Sequence, residues 1–263
     1  MAVNKNFIGT INYSSITILI LAVIILPIPS KIMDFLILIN IALSAILLAD
    51  VHFRKKENDY APFAKYLLFM TIFGLAVNFM VTRQILSLGE YFGSVTIRFT
   101  AYPFANAGIK IIIASLAVFT ASVIFVYFKF VRKIYVEITK SAELISDNRY
   151  ARITEIDKEL TAKSITENEA DKRKMNIQKE IDFLESLSEA AGFLSNCEIF
   201  RFILIIINLL GGIFLGMNYR GELGFDAFIR YASFAISGGI LTLIPVFFLA
   251  YSTRVVLLQK RGI

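Results

Sequence analysis

Cysteine and histidine are almost absent from this sequence of 263 residues: each occurs once, as Cys197 and His52. A single cysteine excludes an intramolecular disulfide framework, and the pair offers too few ligands for the usual zinc or iron sites. The sequence also lacks the glycine-rich loop of phosphate-binding enzymes, the serine elbow of hydrolases and the paired histidines of zinc proteases. We therefore predict no metal, no cofactor and no enzymatic activity.

Charge is scarce as well. Only 18% of the residues are charged, 57% are hydrophobic, and the mean hydropathy is +0.67. Because a soluble domain must cover itself with polar residues, this composition indicates an integral membrane protein. The formal net charge of +6 comes mostly from basic residues beside hydrophobic segments, a distribution that orients membrane proteins and does not indicate nucleic-acid binding. The first hydrophobic run has neither a preceding basic cluster nor a cleavage site, so we expect a retained anchor.

Six hydrophobic stretches approach the roughly 20 apolar residues that a bilayer-spanning helix needs. They cover residues 11–29, 32–50, 63–82, 107–129, 199–217 and 229–257. Pro27 and Pro29 leave almost no loop between the first two, which predicts an antiparallel hairpin. Pro245 is expected to bend the last span. The predicted fold is an all-α polytopic helical membrane protein with about six transmembrane helices and a cytoplasmic helical insert.

The insert, residues 130–198, differs sharply from its flanks because opposite charges alternate along it. Apolar residues recur there at helical spacing, at Ile177, Ile181, Leu184 and Leu187. Ser164 and Glu167 have the spacing of a capping box, which predicts a helix that begins there and runs through Glu189. The insert is therefore expected to form solvated amphipathic helices.

The distribution of lysine and arginine predicts the orientation. Basic residues concentrate in the connection between the second and third spans, in the insert and at the C-terminal end, so these parts are expected to be cytoplasmic, with both termini. The predicted organisation is an N-terminal membrane region of four helices (1–129), the cytoplasmic insert (130–198) and a C-terminal membrane region of two helices (199–263).

Several motifs resemble those of one family. The stretch from Phe73 to Leu86 resembles the Phe-Arg-Leu-Ala-Leu-Asn-x-x-x-Thr-Arg-x-Ile-Leu signature of the FHIPEP family, the export-gate proteins of flagellar and virulence type III secretion. It departs at Gly74, where the signature has arginine. Further matches follow the family's order over roughly residues 24–257: Leu26-Pro-Ile-Pro-Ser-Lys-Ile-Met-Asp34, Ile156-Asp-Lys-Glu-Leu160 and Asn208-Leu-Leu-Gly-Gly212.

The resemblance implies a protein of the bacterial inner membrane that forms a ring of about nine copies with other export-gate proteins and helps to couple proton-motive force to export. It also implies two further membrane helices and a large cytoplasmic domain, which these 263 residues do not contain. We therefore predict an integral membrane component of a flagellar or type III export apparatus, with weakened proton coupling. Whether the chain is the membrane part of a longer export-gate subunit or a shortened homologue stays open. Whether the apparatus is flagellar or of the virulence type stays open.

Two alternatives remain. The first is a non-conducting structural or regulatory ring subunit, and the second is a membrane signalling protein. The second rests on the basic membrane exit between Val131 and Ile153, which loosely resembles a HAMP linker and predicts a parallel coiled coil.

The candidate functional residues are few. Proton-coupling candidates are Arg83, Arg152, Asp157 and Glu159, with Arg152 as a possible charge partner of the two carboxylates. For Arg83, the simpler interpretation is an arginine at the membrane boundary whose side chain extends to water. For the insert residues, it is a charged helix face exposed to solvent. Three asparagines inside spans are expected to form hydrogen bonds between helices, and two glycines and a proline to shape helix contacts. These helix-packing residues are Asn40, Asn78, Asn208, Gly211, Gly212 and Pro245.

The departures from the family pattern share a direction. Neutral residues stand where the resemblance implies charges, at Gly74, Ser188, Gly192, Ser195, Cys197 and Gly238. Glu189 and Glu198 lie one residue beyond two of the missing aspartates. Because one residue corresponds to about 100° of rotation around a helix, whether these glutamates replace the missing charges stays open. The pattern predicts weakened proton coupling.

Overall fold

A computed structural model describes residues 28–53, 62–89 and 93–260 of the chain. Regular structure within these ranges is helical throughout. The predicted first span, 11–29, lies almost wholly outside the described residues. The second and third predicted spans correspond to α1 (Ser30–Phe53) and α2 (Phe63–Leu88). A short helix that was not predicted, α3 (Val95–Ala105), follows them.

The remaining helices are longer than the hydrophobic runs that predict them. Helix α4 (Ile109–Val126) passes through a π-helical turn (Tyr127–Arg132) into α5 (Lys133–Asp147), which is followed by α6 (Arg149–Thr161). Helix α7 (Glu167–Ile206) passes through a second π-helical turn (Ile207–Gly211) into α8 (Gly212–Tyr219). The last helix, α9 (Gly224–Lys260), runs unbroken through Pro245.

Five helical runs in the described part are long and apolar enough to cross a membrane. This confirms the all-α polytopic class. Two of the runs continue from a span directly into the insert, because the helical period of apolar residues persists where the charge content rises. The change of composition near residues 130 and 198 therefore does not coincide with a helix end.

The described chain forms two compact units. The first contains residues up to Ile46, Met70–Ile124 and Cys197–Val246, and the second contains Leu47–Phe69, Phe125–Asn196 and the residues from Phe247 onward. In the first unit, α1, α2, α3 and α9 share one apolar core. Its buried side chains include Met33, Ile37, Val77, Val81, Ile85, Ile97, Tyr231 and Leu241.

In the second unit, the insert has an apolar core of its own, formed by α6 and the first half of α7. The buried members are Ile156, Ala170, Ile177 and Ile181. The predicted capping box at Ser164 is wrong, because Ser164 Oγ donates to the Glu159 carbonyl at 2.8 Å. The cap is Thr166, whose Oγ1 accepts from the Glu169 N–H at 3.3 Å. The helix continues well beyond Glu189, since its apolar face runs on into a span.

Candidate functional site

Two buried charges lie on α7. Glu198 and Arg201 are 9% and 4% exposed, and no other charged residue is buried in the ranges that the structure describes. They stand one helical turn apart, and Arg201 Nη1 donates to Glu198 Oε1 at 2.5 Å. The site is therefore a buried ion pair of zero net charge on a single helix.

The guanidinium of Arg201 lies over Gly74 of α2. A Cβ atom built on Gly74 would stand 2.9 Å from Arg201 Nη2, and 3.3 and 3.5 Å from the amide nitrogen and oxygen of Asn40 on α1. Gly74 and Asn40 lie near the middle of their helices. The charged end of Arg201 thus fills the space that a side chain at position 74 would otherwise occupy, among three helices.

The site retains unpaired polar atoms. Arg201 Nε and Asn40 Oδ1 are buried and have no hydrogen-bond partner among the described residues. The same is true of Asn78 Nδ2 and Asn208 Oδ1. All three asparagines are buried, and hydrogen bonds between helices from the other atom of each amide remain a prediction. Sequence shows that an asparagine faces other helices, but it does not show which group it meets there.

The pair is energetically demanding. A charge in the middle of a membrane costs several kcal/mol, and a buried ion pair recovers this cost only when its geometry is good. Removing one partner of a buried pair typically costs about 3–5 kcal/mol, because the other charge is left without compensation. Glu198 and Arg201 are therefore expected to depend on each other.

The insert candidates Arg152, Asp157 and Glu159 are at least partly exposed. Each forms a salt bridge with α7: Arg152 with Glu180 at 3.0 Å, Asp157 with Lys174 at 2.5 Å, and Glu159 with Arg173 at 2.9 Å. Arg152 therefore pairs with Glu180 and not with Asp157, because α6 and α7 face each other in antiparallel register. Exposed pairs of this kind contribute about 0–1 kcal/mol.

Arg83 is located elsewhere. It lies near the end of α2, is half-buried, and belongs to the first compact unit, whereas the three insert candidates belong to the second. The structure thus brings the insert candidates onto one helical hairpin and places Arg83 in the unit that contains the buried pair.

Two positions without the expected charge are packed against neutral partners. Ser188 Oγ lies 2.9 Å from Thr139 Oγ1, and a Cβ atom on Gly192 would stand 3.0 Å from the ring of Tyr135. A lysine at position 192 would press on the Tyr135 ring, whereas the Ser188 hydroxyl is already satisfied by Thr139 without a charge. The loss of charge there agrees with the local packing.

At Gly74 the outcome differs. The signature arginine is missing from α2, and the guanidinium of Arg201 on α7 lies where the Cβ atom of that arginine would stand. The sequence analysis missed Arg201 because it lies inside a hydrophobic run. Its spacing of three residues from Glu198 was the available signal, since residues so spaced share a helix face.

The comparisons with known proteins agree with the sequence motifs. The profile described as the FHIPEP family matches residues 20–261. Flagellar biosynthesis protein FlhA of Treponema pallidum is 30% identical over 250 residues, which cover 94% of this chain and 35% of that protein. FlhA of Borreliella burgdorferi is 29% identical over 245 residues, covering 92% and 35%.

Low calcium response locus protein D of Yersinia pestis is 27% identical over 264 residues, covering 95% of this chain and 35% of that protein. The chain thus spans about a third of the length of these relatives. No solved structure matches it.

Proposed function

Because the chain belongs to the FHIPEP family, we propose that it is an integral membrane component of a flagellar or type III protein export apparatus. The names of its relatives and the five helices that can cross a membrane support this proposal. The proposed location is the bacterial inner membrane, with both termini in the cytoplasm. The proposed partners are the bilayer, further copies of the chain in a ring, and other export-gate membrane proteins.

The Glu198–Arg201 pair carries the mechanistic part of the proposal. Ionisable residues that face neighbouring helices inside a membrane often mark ion or proton pathways. A carboxylate beside a fixed guanidinium can take up and release a proton while the guanidinium keeps its charge. We therefore assign residual proton coupling to Glu198, with Arg201 as the positioning residue; Arg83, Arg152, Asp157 and Glu159 remain secondary candidates.

A second candidate function is a non-conducting structural or regulatory ring subunit. The exposed salt bridges of the insert and the neutral packing at Ser188 and Gly192 favour it. The signalling alternative has less support, because α6 packs antiparallel against α7 of the same chain, whereas a HAMP linker requires a parallel coiled coil.

The insert provides a prediction that is independent of the buried pair. Replacing Asp157 by asparagine is expected to change stability by less than about 1 kcal/mol, because the salt bridge with Lys174 is exposed. Membrane level and secretion in the native host should stay close to those of the unaltered protein. Secretion abolished at a normal membrane level would instead make Asp157 part of the coupling machinery.

Native purification tests the assembly. The protein, extracted from its own host in mild detergent, should migrate as a homo-oligomer and bring other export-apparatus membrane proteins with it. A deletion strain should lose secretion and regain it when the gene is restored. Monomer alone, with no co-purifying export protein and unchanged secretion after deletion, would contradict the proposal.

A further inference from the structure

Helix α3 begins beside the second turn of α1. Ser94 Oγ donates to a carboxylate oxygen of Asp34, and so do the backbone N–H groups of Val95 and Thr96, at 2.9 and 3.2 Å. The free N–H groups at the start of a helix need acceptors, and a carboxylate is favourable there. The start of α3 is therefore satisfied by a residue of a spanning helix and does not require water.

The middle of α3 lies at the level of the last turns of α2. Ser237 Oγ of α9 donates to the Ile97 carbonyl at 2.9 Å. The next residue, Gly238, faces Val81 of α2, with its Cβ position 3.5 Å from Val81 Cγ1. Val81 precedes Leu88, the last residue of α2, by two turns, or about 10 Å at 1.5 Å per residue. Val81 is also the next-to-last residue of the predicted span 63–82, so α3 lies at the level where α2 leaves the bilayer.

One face of α3 has no protein neighbour among the described residues. Ile97 and Ala101 are buried in the apolar core, whereas Phe99 is 80% exposed and Val95 and Tyr102 are nearly as exposed. Residues 95, 99 and 102 lie on one side of a helix. Arg98 is also exposed and lies on the same side.

We propose that this face, the α3 stripe (Val95, Arg98, Phe99 and Tyr102), contacts bilayer lipid that carries an anionic headgroup. The apolar side chains then meet acyl chains and aromatic rings lie at the interface, while Arg98 reaches a phosphate. Helix α3 is accordingly an interfacial helix that lies at one boundary of the bilayer.

Two observations favour lipid over a protein partner. The next helix, α4, can itself cross a membrane and also exposes large apolar side chains, at Ile111, Ile113 and Val118. In addition, the cation within the stripe complements a phosphate, whereas a buried contact between two copies would bring Arg98 of each copy into an apolar interface. Such an unpaired charge is costly.

Fluorescence offers a direct test, because the chain contains no tryptophan. Phe99→Trp would introduce the only tryptophan, at the centre of the stripe, and tryptophan can be excited selectively over the tyrosines of the chain. The purified chain is reconstituted in vesicles of phosphatidylcholine and phosphatidylglycerol, with or without bromine on the acyl chains. Brominated lipid should quench the emission strongly, and aqueous iodide should not. Phe214→Trp, on the exposed side of α8, serves as the membrane control, and Tyr150→Trp, exposed on the insert, as the aqueous control.

The headgroup preference is tested in the same background. Adding Arg98→Gln should reduce the preference for brominated phosphatidylglycerol over brominated phosphatidylcholine about fivefold, the effect of one basic residue at an anionic surface. An unchanged preference would refute the anionic contact. Iodide quenching without lipid quenching would place the stripe in water, and shielding from both quenchers would show that protein covers it. Either result would overturn the proposal.

Discussion

Replacing Arg201 by alanine is expected to reduce the folded protein in the membrane strongly. The substitution leaves the Glu198 carboxylate buried without its cation, which should cost about 3–5 kcal/mol. The variant should therefore melt at a much lower temperature in detergent and be digested faster by protease in membranes. The double variant Glu198→Gln with Arg201→Met removes both charges and should regain much of the loss. Unaltered melting of Arg201→Ala would contradict the structure of this site.

The space over Gly74 allows a sharper version of the experiment. If the location of the guanidinium matters more than the helix that supplies it, Gly74→Arg combined with Arg201→Gly should be more stable than either single variant. Gly74→Arg alone brings its Cβ atom against the Arg201 guanidinium and adds a second buried cation, and Arg201→Gly alone leaves Glu198 unpaired. A double variant no more stable than Arg201→Gly would show that the helix of origin is essential.

The second large effect is expected at Gly212. A Cβ atom on Gly212 would overlap the ring of Tyr231, far inside the roughly 3.5–4.0 Å of a normal carbon contact. Tyr231 is fully buried, so its ring cannot withdraw. Gly212→Ala should therefore cost about 1–3 kcal/mol or more through overpacking. It should lower both the melting temperature and the yield of assembled protein.

Gly211 provides the matched control, because its Cβ position meets Leu86 Cδ2 at an ordinary 3.5 Å. Gly211→Ala should be tolerated, although the sequence analysis expected both glycines to shape a helix contact. Equal melting temperatures for the alanine variants at 211 and 212 would contradict this account.

A second pair of glycines repeats the comparison independently. A Cβ atom on Gly239 would overlap the ring of Phe119, whereas one on Gly238 would stand 3.5 Å from Val81. Gly239→Ala should therefore be destabilising and Gly238→Ala nearly neutral. In each pair, only one glycine lies against an aromatic ring. The two pairs therefore test whether that contact determines how much the alanine variant is destabilised.

The helices of the membrane region could be predicted because they depend on local composition. A run of apolar residues that crosses lipid must form a helix. The predicted spans therefore correspond to the observed helices α1, α2 and α9. Helix α3 was not predicted, because its stretch contains Arg98 and Pro103 and is short. Its capping residue Ser94 is a local signal, but Asp34, which also caps it, is about sixty residues away.

The candidate site was harder to predict because it is tertiary. The sequence shows that Gly74 lacks the arginine of the family pattern, but not that α7 brings Arg201 to the same place. In the insert, nearness in sequence suggested that Arg152 and Asp157 act together, whereas the antiparallel hairpin gives each a partner on α7. Charge partners thus follow helix packing more closely than they follow spacing along the chain.

Secretion per membrane-inserted protein in the native host tests the central claim most directly. Glu198→Gln keeps the shape of the side chain but removes its ionisable carboxyl group. If the buried pair couples proton movement to export, Glu198→Gln should abolish secretion per membrane-inserted molecule, beyond the lower membrane level expected because Arg201 loses its anion, while Asp157→Asn secretes nearly normally. Normal secretion by Glu198→Gln would contradict the coupling role and leave the chain as a non-conducting ring subunit.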